Sequence, residues 1–270
     1  MTASFWSDLP QLGKKIRAAR KVFLVLDFDG TLAPLVDQPS MAKLPESVLR
    51  PLRRLVEIAD VAVMSGRAMA DVRRRVGIRA IAYGGNHGIE IVGPGVRYLN
   101  PVAQKLKKQT QTFFEAARLS FQDVPGVHIE TKGFGLSLHY RHVPKTRLGF
   151  FKKRLAAFQE TTHVDLFHWT KGHMVSEMRP QTGWDKGKAL RHLWSRWGKP
   201  FVLCVGDDVT DEDMFRAMPK SGVSVKVGKG KTRARYRLAR QIEVAQMLEW
   251  VIAQRPGKGK GADQFDRRIR

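Results

Sequence analysis

Short runs of Val, Ile and Leu alternate along the chain with stretches in which apolar residues return every three to four positions. The runs are "KVFLVL", "ADVAVM", "AIAY", "FVLCV" and "VSVKV". Apolar runs of this length with little polar interruption predict a buried parallel sheet. Between the first two, Val48, Leu52, Leu55, Val56 and Ala59 keep helical spacing, with Pro45 near the start, so the unit reads strand, helix, strand. Val244, Met247, Leu248 and Val251 repeat the helical period and predict a closing amphipathic helix.

From about Pro94 to Gly183 the pattern changes. A long helix carrying Leu106, Phe113, Phe114 and Ala117 precedes "HIETKGFGLSLHYRHV", where Phe134, Leu136, Leu138 and Tyr140 alternate with Gly135, Ser137 and His139. That alternation predicts an antiparallel sheet covered on one face. A further helical stretch, Leu148–Phe158, and two strand-like pieces, "HVDLFHW" and "MVSEMRP", complete the segment. It reads as a smaller α+β domain, residues 94–183, inserted between 1–93 and 184–255 of a core domain. The tail 256–270, "PGKGKGADQFDRRIR", is basic and poor in apolar residues, and is expected to be disordered.

Composition narrows the class without choosing the function. The chain has 270 residues, enough for one large or two modest domains, and 43% apolar content, enough for a core. No apolar run approaches the roughly 20 residues that cross a bilayer, and "MTASFWSDLPQLGKK" lacks the basic-then-apolar order of a signal peptide, so no membrane partner and a cytoplasmic location are expected. Cys204 is the one cysteine, which excludes an internal disulfide, and its setting in "FVLCVGDD" is that of a buried strand residue. With 48 Lys+Arg against 25 Asp+Glu the formal charge is +23. Such a charge suits nucleic acid, an acidic membrane or the steering of a dianionic small substrate. No zinc-ligand spacing and no aromatic-interleaved basic helix accompany it, which weighs against nucleic acid.

In an open α/β sheet ligands bind beyond the carboxyl ends of the strands. Three strand ends hold reactive groups: Asp27, Asp29 and Thr31 after the first run, Ser65 and Arg67 after "VAVM", and Asp207, Asp208 and Asp211 after "FVLCV". Carboxylates gathered in a dry crevice repel one another unless a cation sits among them. The set Asp27, Asp29, Asp207, Asp208 and Asp211 therefore points to Mg²⁺, a hard ion that takes oxygen ligands and keeps positions for phosphate oxygens. Ser65 equally fits a helix N-cap, Asp185 reads as a cap, and Asp213 fits a capping box with Thr210. His139, His163, His168 and His173 share no metal-ligand spacing, and the tryptophans read as packing groups.

The motif "DFDGTL" resembles the first motif of the haloacid dehalogenase-like phosphatase superfamily, in which the first Asp is a nucleophile and the second an acid/base. Ser65 matches the second-motif hydroxyl, Lys186 in "GWDKGKAL" the third-motif lysine, and "GDDVTDEDMF" the acidic fourth motif. With "SGR" and "GGNHGIE", the set is similar to the trehalose-6-phosphate phosphatases within that superfamily, from about Val22 to Val251. The resemblance implies a doubly wound, Rossmann-like α/β core with the inserted α+β segment as a cap. It implies Mg²⁺-dependent hydrolysis of trehalose 6-phosphate through an aspartyl-phosphate on Asp27, with Asp29, Ser65 and Lys186 as the other catalytic groups. It also places Arg67, Asn86, His87, Glu130, Lys132, Glu177 and Arg179 near the sugar phosphate. A phosphatase for another sugar phosphate, and a basic nucleic-acid-binding protein on a phosphatase-like fold, are the alternatives. The intact Asp27, Asp29, Lys186 and Asp207 argue against the second. A monomer is expected.

Overall fold

The computed structural model describes residues 2–162, 165–172 and 174–255, so that His163, His173 and the basic tail lie outside the described residues. The chain divides into two compact units, Met1–Tyr98 with Asp185 onward, and Leu99–Trp184. In chain order the larger unit opens with β1 (Ala3–Ser4), α1 (Leu9–Ala18), β2 (Val22–Asp27), α2 (Glu46–Leu55) and β3 (Asp60–Met64). It continues with α3 (Met69–Val76), β4 (Ala82–Gly85), β5 (Glu90–Gly93) and β6 (Val96–Leu99). The smaller unit holds α4 (Pro101–Phe121), β7 (His128–Thr131), β8 (Leu136–His139), α5 (Lys145–Glu160), β9 (Phe167–Gly172) and β10 (Val175–Pro180). The chain then returns through α6 (Lys186–Arg196), β11 (Phe201–Gly206), α7 (Glu212–Ala217), β12 (Val223–Val227), β13 (Tyr236–Leu238) and α8 (Glu243–Ala253).

The larger sheet runs β1-β13-β12-β11-β2-β3-β4-β5-β6, parallel from β1 to β4, with β5 antiparallel to β4. Every residue of β2 is buried, and on one of its faces Leu24 and Leu26 share a cluster with Leu12 and Ile16 of α1, Leu52 of α2 and Leu248 of α8. Where the sequence pattern changes near Pro94, the strand Val96–Leu99 still joins this sheet, and the smaller unit starts only at Leu99. The short, partly polar strands β5 and β6 carry no apolar run that would announce them. Among the described residues no helix is long and apolar enough to cross a membrane.

In the smaller unit, Asn100 caps α4, its Oδ1 accepting from the backbone N–H of Val102 and Ala103, and Pro101 takes the first helical position, where its missing N–H costs nothing. The four strands lie in the order β7-β8-β10-β9, all antiparallel. One face of this sheet packs Leu136, Leu138, Met178 and Phe167 against Leu106, Ala117 and Phe121 of α4 and Phe151 and Phe158 of α5.

Candidate active site

Strand order fixes the site before any side chain is placed. β2 lies between β11 and β3, with Leu26 opposite Val205 and Asp27 opposite Met64. Asp27, Ser65 and Asp207 therefore emerge side by side at the carboxyl ends of three adjacent parallel strands. Three glycines make the approach possible. A Cβ on Gly30, whose φ is +82°, would sit 2.1 Å from Asp207 Oδ2, and one on Gly206 would sit 2.4 Å from the Asp211 carboxyl. One on Gly187 would meet the backbone carbonyl of Asp213 at 2.3 Å, so α6 can begin against α7 only with glycine there.

Lys186, the first residue of α6, is 2% exposed, and its ammonium donates to Asp27 Oδ1 at 2.6 Å and Asp211 Oδ1 at 2.7 Å. Asp185 caps that helix by accepting from the Lys188 N–H at 2.8 Å. Asp211, fully buried, turns its other oxygen to the backbone N–H of Asp207 and Asp208, both at 2.9 Å, and so holds the loop after β11 in shape. Asp207 Oδ1 accepts from Thr31 Oγ1 at 3.1 Å, and the ammonium of Lys226 reaches the backbone carbonyl of Asp207.

One lysine paired to this group leaves it short of positive charge. Burial first, and the Asp211 carboxylate next, push Asp27 well above the usual carboxylate range against the pull of Lys186. The same two causes raise Asp207 to about 6. Lys186 is itself held above its ordinary value: burial disfavours its charge, and the Asp211 and Asp27 carboxylates more than reverse that. Asp27, Asp207 and Asp211 each offer an oxygen within 4.8 Å of the others. That group does not include Asp29 or Asp208. Asp29 faces the guanidinium of Arg67, which donates to its two oxygens at 2.7 and 2.6 Å, and Asp208 is exposed.

The "SGR" and "GGNHG" loops interlock through their backbones. Ser65 N–H donates to the Gly84 carbonyl at 2.8 Å, Asn86 N–H to the Arg67 carbonyl at 2.7 Å, and His87 N–H to the Ser65 carbonyl at 2.9 Å. Asn86 and His87 both have positive φ, 50° and 60°, a conformation that L residues adopt at a cost when surrounding structure imposes it. His87 lays its ring where a Cβ on Gly66 would be, at 2.8 Å. Ser65 is buried and its Oγ accepts from the Arg67 N–H at 3.1 Å, whereas the N-cap position of α3 falls to Ala68. Ser65, Arg67, Asn86 and His87 thus form one constellation beside Asp27 and Asp29.

The smaller unit gathers the remaining candidates on the face of its sheet opposite the apolar core. Glu130, Ser137, Glu177 and Thr170 fall in one row across β7, β8, β10 and β9. Glu177 accepts from Lys132 at 2.6 Å and from Ser137 Oγ at 3.0 Å, and pairs with Arg179. Burial pushes the Glu177 carboxyl up, but Lys132 and Arg179 together bring it far below the usual range. Glu130 lies 3.2 Å from His139 Nε2, and that hydrogen bond, with Lys132, keeps its carboxyl low against burial.

The trehalose-phosphatase family profile matches residues 25–242. The chain belongs to the trehalose-phosphatase family. It is 37% identical over 207 residues to a trehalose-phosphate phosphatase of Mycobacterium ulcerans, covering 74% of this chain and 52% of that protein. It is 34% identical over 247 residues to one of Mycobacterium tuberculosis, covering 87% and 62%. The chain thus spans about half to three-fifths of the length of these curated relatives. Among solved structures, the C-terminal domain of the C. albicans trehalose-6-phosphate phosphatase superposes with a TM-score of 0.74 at 24% identity, covering 94% of this chain and 98% of that one. A haloacid dehalogenase-like hydrolase from Bacteroides thetaiotaomicron superposes with a TM-score of 0.59 at 17% identity, covering 85% and 98%, which places the fold among the haloacid dehalogenase-like α/β proteins.

Within this trehalose-phosphatase fold, sequence reasoning missed Lys226, Asp71 and Arg75. Lys226 is the one charged residue of "VSVKV", and its position at the carboxyl end of an otherwise apolar strand was the available signal. Asp71 accepts from Arg67 at 3.0 Å and from Arg75 at 2.8 Å, so it steadies the guanidinium that holds Asp29; nothing in "ADVRRRV" distinguishes it from a surface ion pair.

Proposed function

We propose that this member of the family is a Mg²⁺-dependent phosphatase that hydrolyses trehalose 6-phosphate to trehalose and phosphate through an aspartyl-phosphate. The observation that carries the proposal is the Asp27–Lys186–Asp211 bridge beside Asp207, a buried carboxylate group at the carboxyl ends of β2 and β11 with one lysine paired to it. The donor set fits a hard divalent cation, since oxygen ligands this close are stable together only when further positive charge joins them. Asp27 and Asp207 would hold it, with Asp211 behind them fixing the loop. The bound ion would neutralise phosphoryl oxygens and so allow an anionic nucleophile to approach.

The chain's own groups then divide the work. Lys186 holds Asp27 by one oxygen and leaves the other for attack on phosphorus, forming the Asp27–phosphorus bond as the bond from phosphorus to the sugar oxygen breaks. Asp29 gives its proton to that sugar oxygen and takes one from the water that later cleaves the acyl phosphate. Both Asp29 oxygens accept from Arg67, so the guanidinium must give way for Asp29 to carry a proton, and a substrate phosphate is the anion that would draw it off. Ser65, with its hydroxyl at the same strand ends, donates to a phosphoryl oxygen. Asn86 and His87 take up the sugar phosphate beside it. The smaller unit acts as the cap, with Glu130, Lys132, Glu177 and Arg179 holding sugar hydroxyls.

The experiment is phosphate release from trehalose 6-phosphate, glucose 6-phosphate and p-nitrophenyl phosphate, with and without Mg²⁺. Release that requires Mg²⁺ and is fastest for trehalose 6-phosphate supports the whole proposal. Faster release from another sugar phosphate replaces the substrate and keeps the chemistry, and no release from any of the three sinks both.

A further inference from the structure

At the opposite ends of the same strands the larger unit carries a second cleft, of about 670 Å³, lined by residues from the end of α1, the start of β2 and the loop between α6 and β11. Lys15, Arg20, Lys21 and Lys199 line it, and no carboxylate does. Trp197 and Ser221 are part of the wall. Lys15 is half-buried and Arg20, Lys21 and Lys199 are exposed, so the cleft presents a positive field to solvent that draws anions toward it. At and just beyond the end of α1, Arg255 donates to the carbonyls of Ile16 at 3.2 Å, Ala19 at 2.7 Å and Arg20 at 3.4 Å, so that helix terminus already has a cation of its own. Among the described residues no carboxylate pairs with Lys15, Arg20 or Lys21, and Lys199 has only the face of Trp194, at 5.8 Å.

The wall is also rigid. The Trp197 ring meets Phe23 edge to face with centroids 4.8 Å apart, and the Phe201 N–H donates to the Lys21 carbonyl at 3.0 Å, tying the two strand starts together. A groove of this size is in the range of roughly 300–1,000 Å³ that takes small molecules. A fixed indole beside clustered cations matches a ligand with both a flat or apolar face and a multiply charged anionic group.

We propose that this cleft binds a small organic phosphate, one in which a ring lies against Trp197 and a phosphate meets Lys21 and Lys199, at a site separate from the acidic crevice. The site stands independently of the phosphatase reading, since its occupancy is measured without turnover. β2 and α6 both link it to that crevice: β2 begins beside Lys21 and ends at Asp27, and α6 begins at Lys186 and ends beside Trp197.

The test uses the full chain in EDTA, titrated calorimetrically with AMP as the probe, for the wild type, Asp27→Asn and the double variant Lys21→Glu/Lys199→Glu. The expected result is binding that survives Asp27→Asn, weakens about tenfold or more in the double variant, and falls as salt rises. The double variant should keep the wild-type melting temperature and its phosphate release without AMP. If charge reversal perturbs folding, Lys21→Gln/Lys199→Gln serves in its place and should weaken AMP by a smaller factor. AMP affinity equal in wild type and charge variants, or lost in Asp27→Asn alone, overturns the site. Binding of a single-stranded oligonucleotide, but not of AMP, that disappears in the double variant overturns the small-molecule reading as well.

Discussion

The two carboxylate clusters of this protein are built from the same residue types and are neutralised in opposite senses. At the strand ends of the larger unit, Lys186 bridges two of three clustered carboxylates, Asp27 and Asp211, while Asp207 accepts from Thr31, and burial leaves Asp27 and Asp207 with raised pKa values. In the smaller unit, one carboxylate, Glu177, stands between Lys132 and Arg179 and is driven down despite its burial. The first arrangement is unfavourable by itself and becomes favourable when a cation joins it. The second is complete without a further ion and presents its remaining hydrogen-bonding capacity to neutral partners. Charge balance thus separates the two groups where residue type alone would not, and the proposed division between phosphoryl site and sugar grip rests on that difference.

The largest effect that can sharpen this contrast is at Asp27, the proposed nucleophile. Asp27→Asn keeps size and the bond to Lys186 but removes the attacking oxygen's charge, and should lower kcat by more than roughly a thousandfold, with the fold intact by circular dichroism. Turnover within a factor of ten of wild type would sink the covalent mechanism.

The next effect is the response to metal. A ligand at a hundred times its Kd stabilises by about 2.7 kcal/mol, so Mg²⁺ should raise the melting temperature of the larger unit by roughly 5–10 °C. EDTA should abolish phosphate release. Asp207→Asn should lose most of the Mg²⁺-induced rise, yet in EDTA at neutral pH it should melt at or above the wild type. The sign follows from linkage: a carboxyl raised to about 6 in the fold favours the folded state below its unfolded value and loses that contribution as pH climbs through 6. An Asp207→Asn protein that is less stable than wild type in EDTA would show that the Asp207 charge is already balanced.

Smaller again is the division between grip and chemistry. Replacing Glu177 with Ala removes the carboxylate that gathers Lys132, Ser137 and Arg179, and should lower kcat/KM for trehalose 6-phosphate by about 1–3 kcal/mol. The p-nitrophenyl ester carries no sugar and should lose little. Equal losses on both substrates would assign Glu177 to the fold or to the phosphoryl site.

What could be read from sequence follows the same line. Apolar runs ending in Asp27, Ser65 and Asp207 announce both the sheet and its reactive end, because a charge directly after a buried strand has few other uses. Pairings between distant residues are not announced. Arg67 and Asp29 are 38 positions apart and Lys132 and Glu177 are 45 apart, and only the strand order brings them together. Ser137 sits in an alternating pattern that reads as half exposed, yet it is 1% exposed, covered on its polar face by the Glu177 network. Alternation reports which face meets the apolar core. It cannot report that the other face is roofed by ion pairs.

The smallest effect tests that roof directly. Glu177 is depressed in the fold, so its ionised form contributes stability that is fully present above its unfolded value and is lost as pH falls toward the folded one. The Glu177→Gln protein lacks this contribution at every pH. The melting temperature of the smaller unit should therefore lie below wild type at pH 7 by the equivalent of about 1–2 kcal/mol, a charged hydrogen-bond network's worth. The gap should stay level down to about pH 4.5 and close as acid protonates Glu177 in the unfolded wild type. A gap that keeps its size to pH 3 would trace the stability of this face to packing around Glu177, and the contrast between the two clusters would then rest on the acidic one alone.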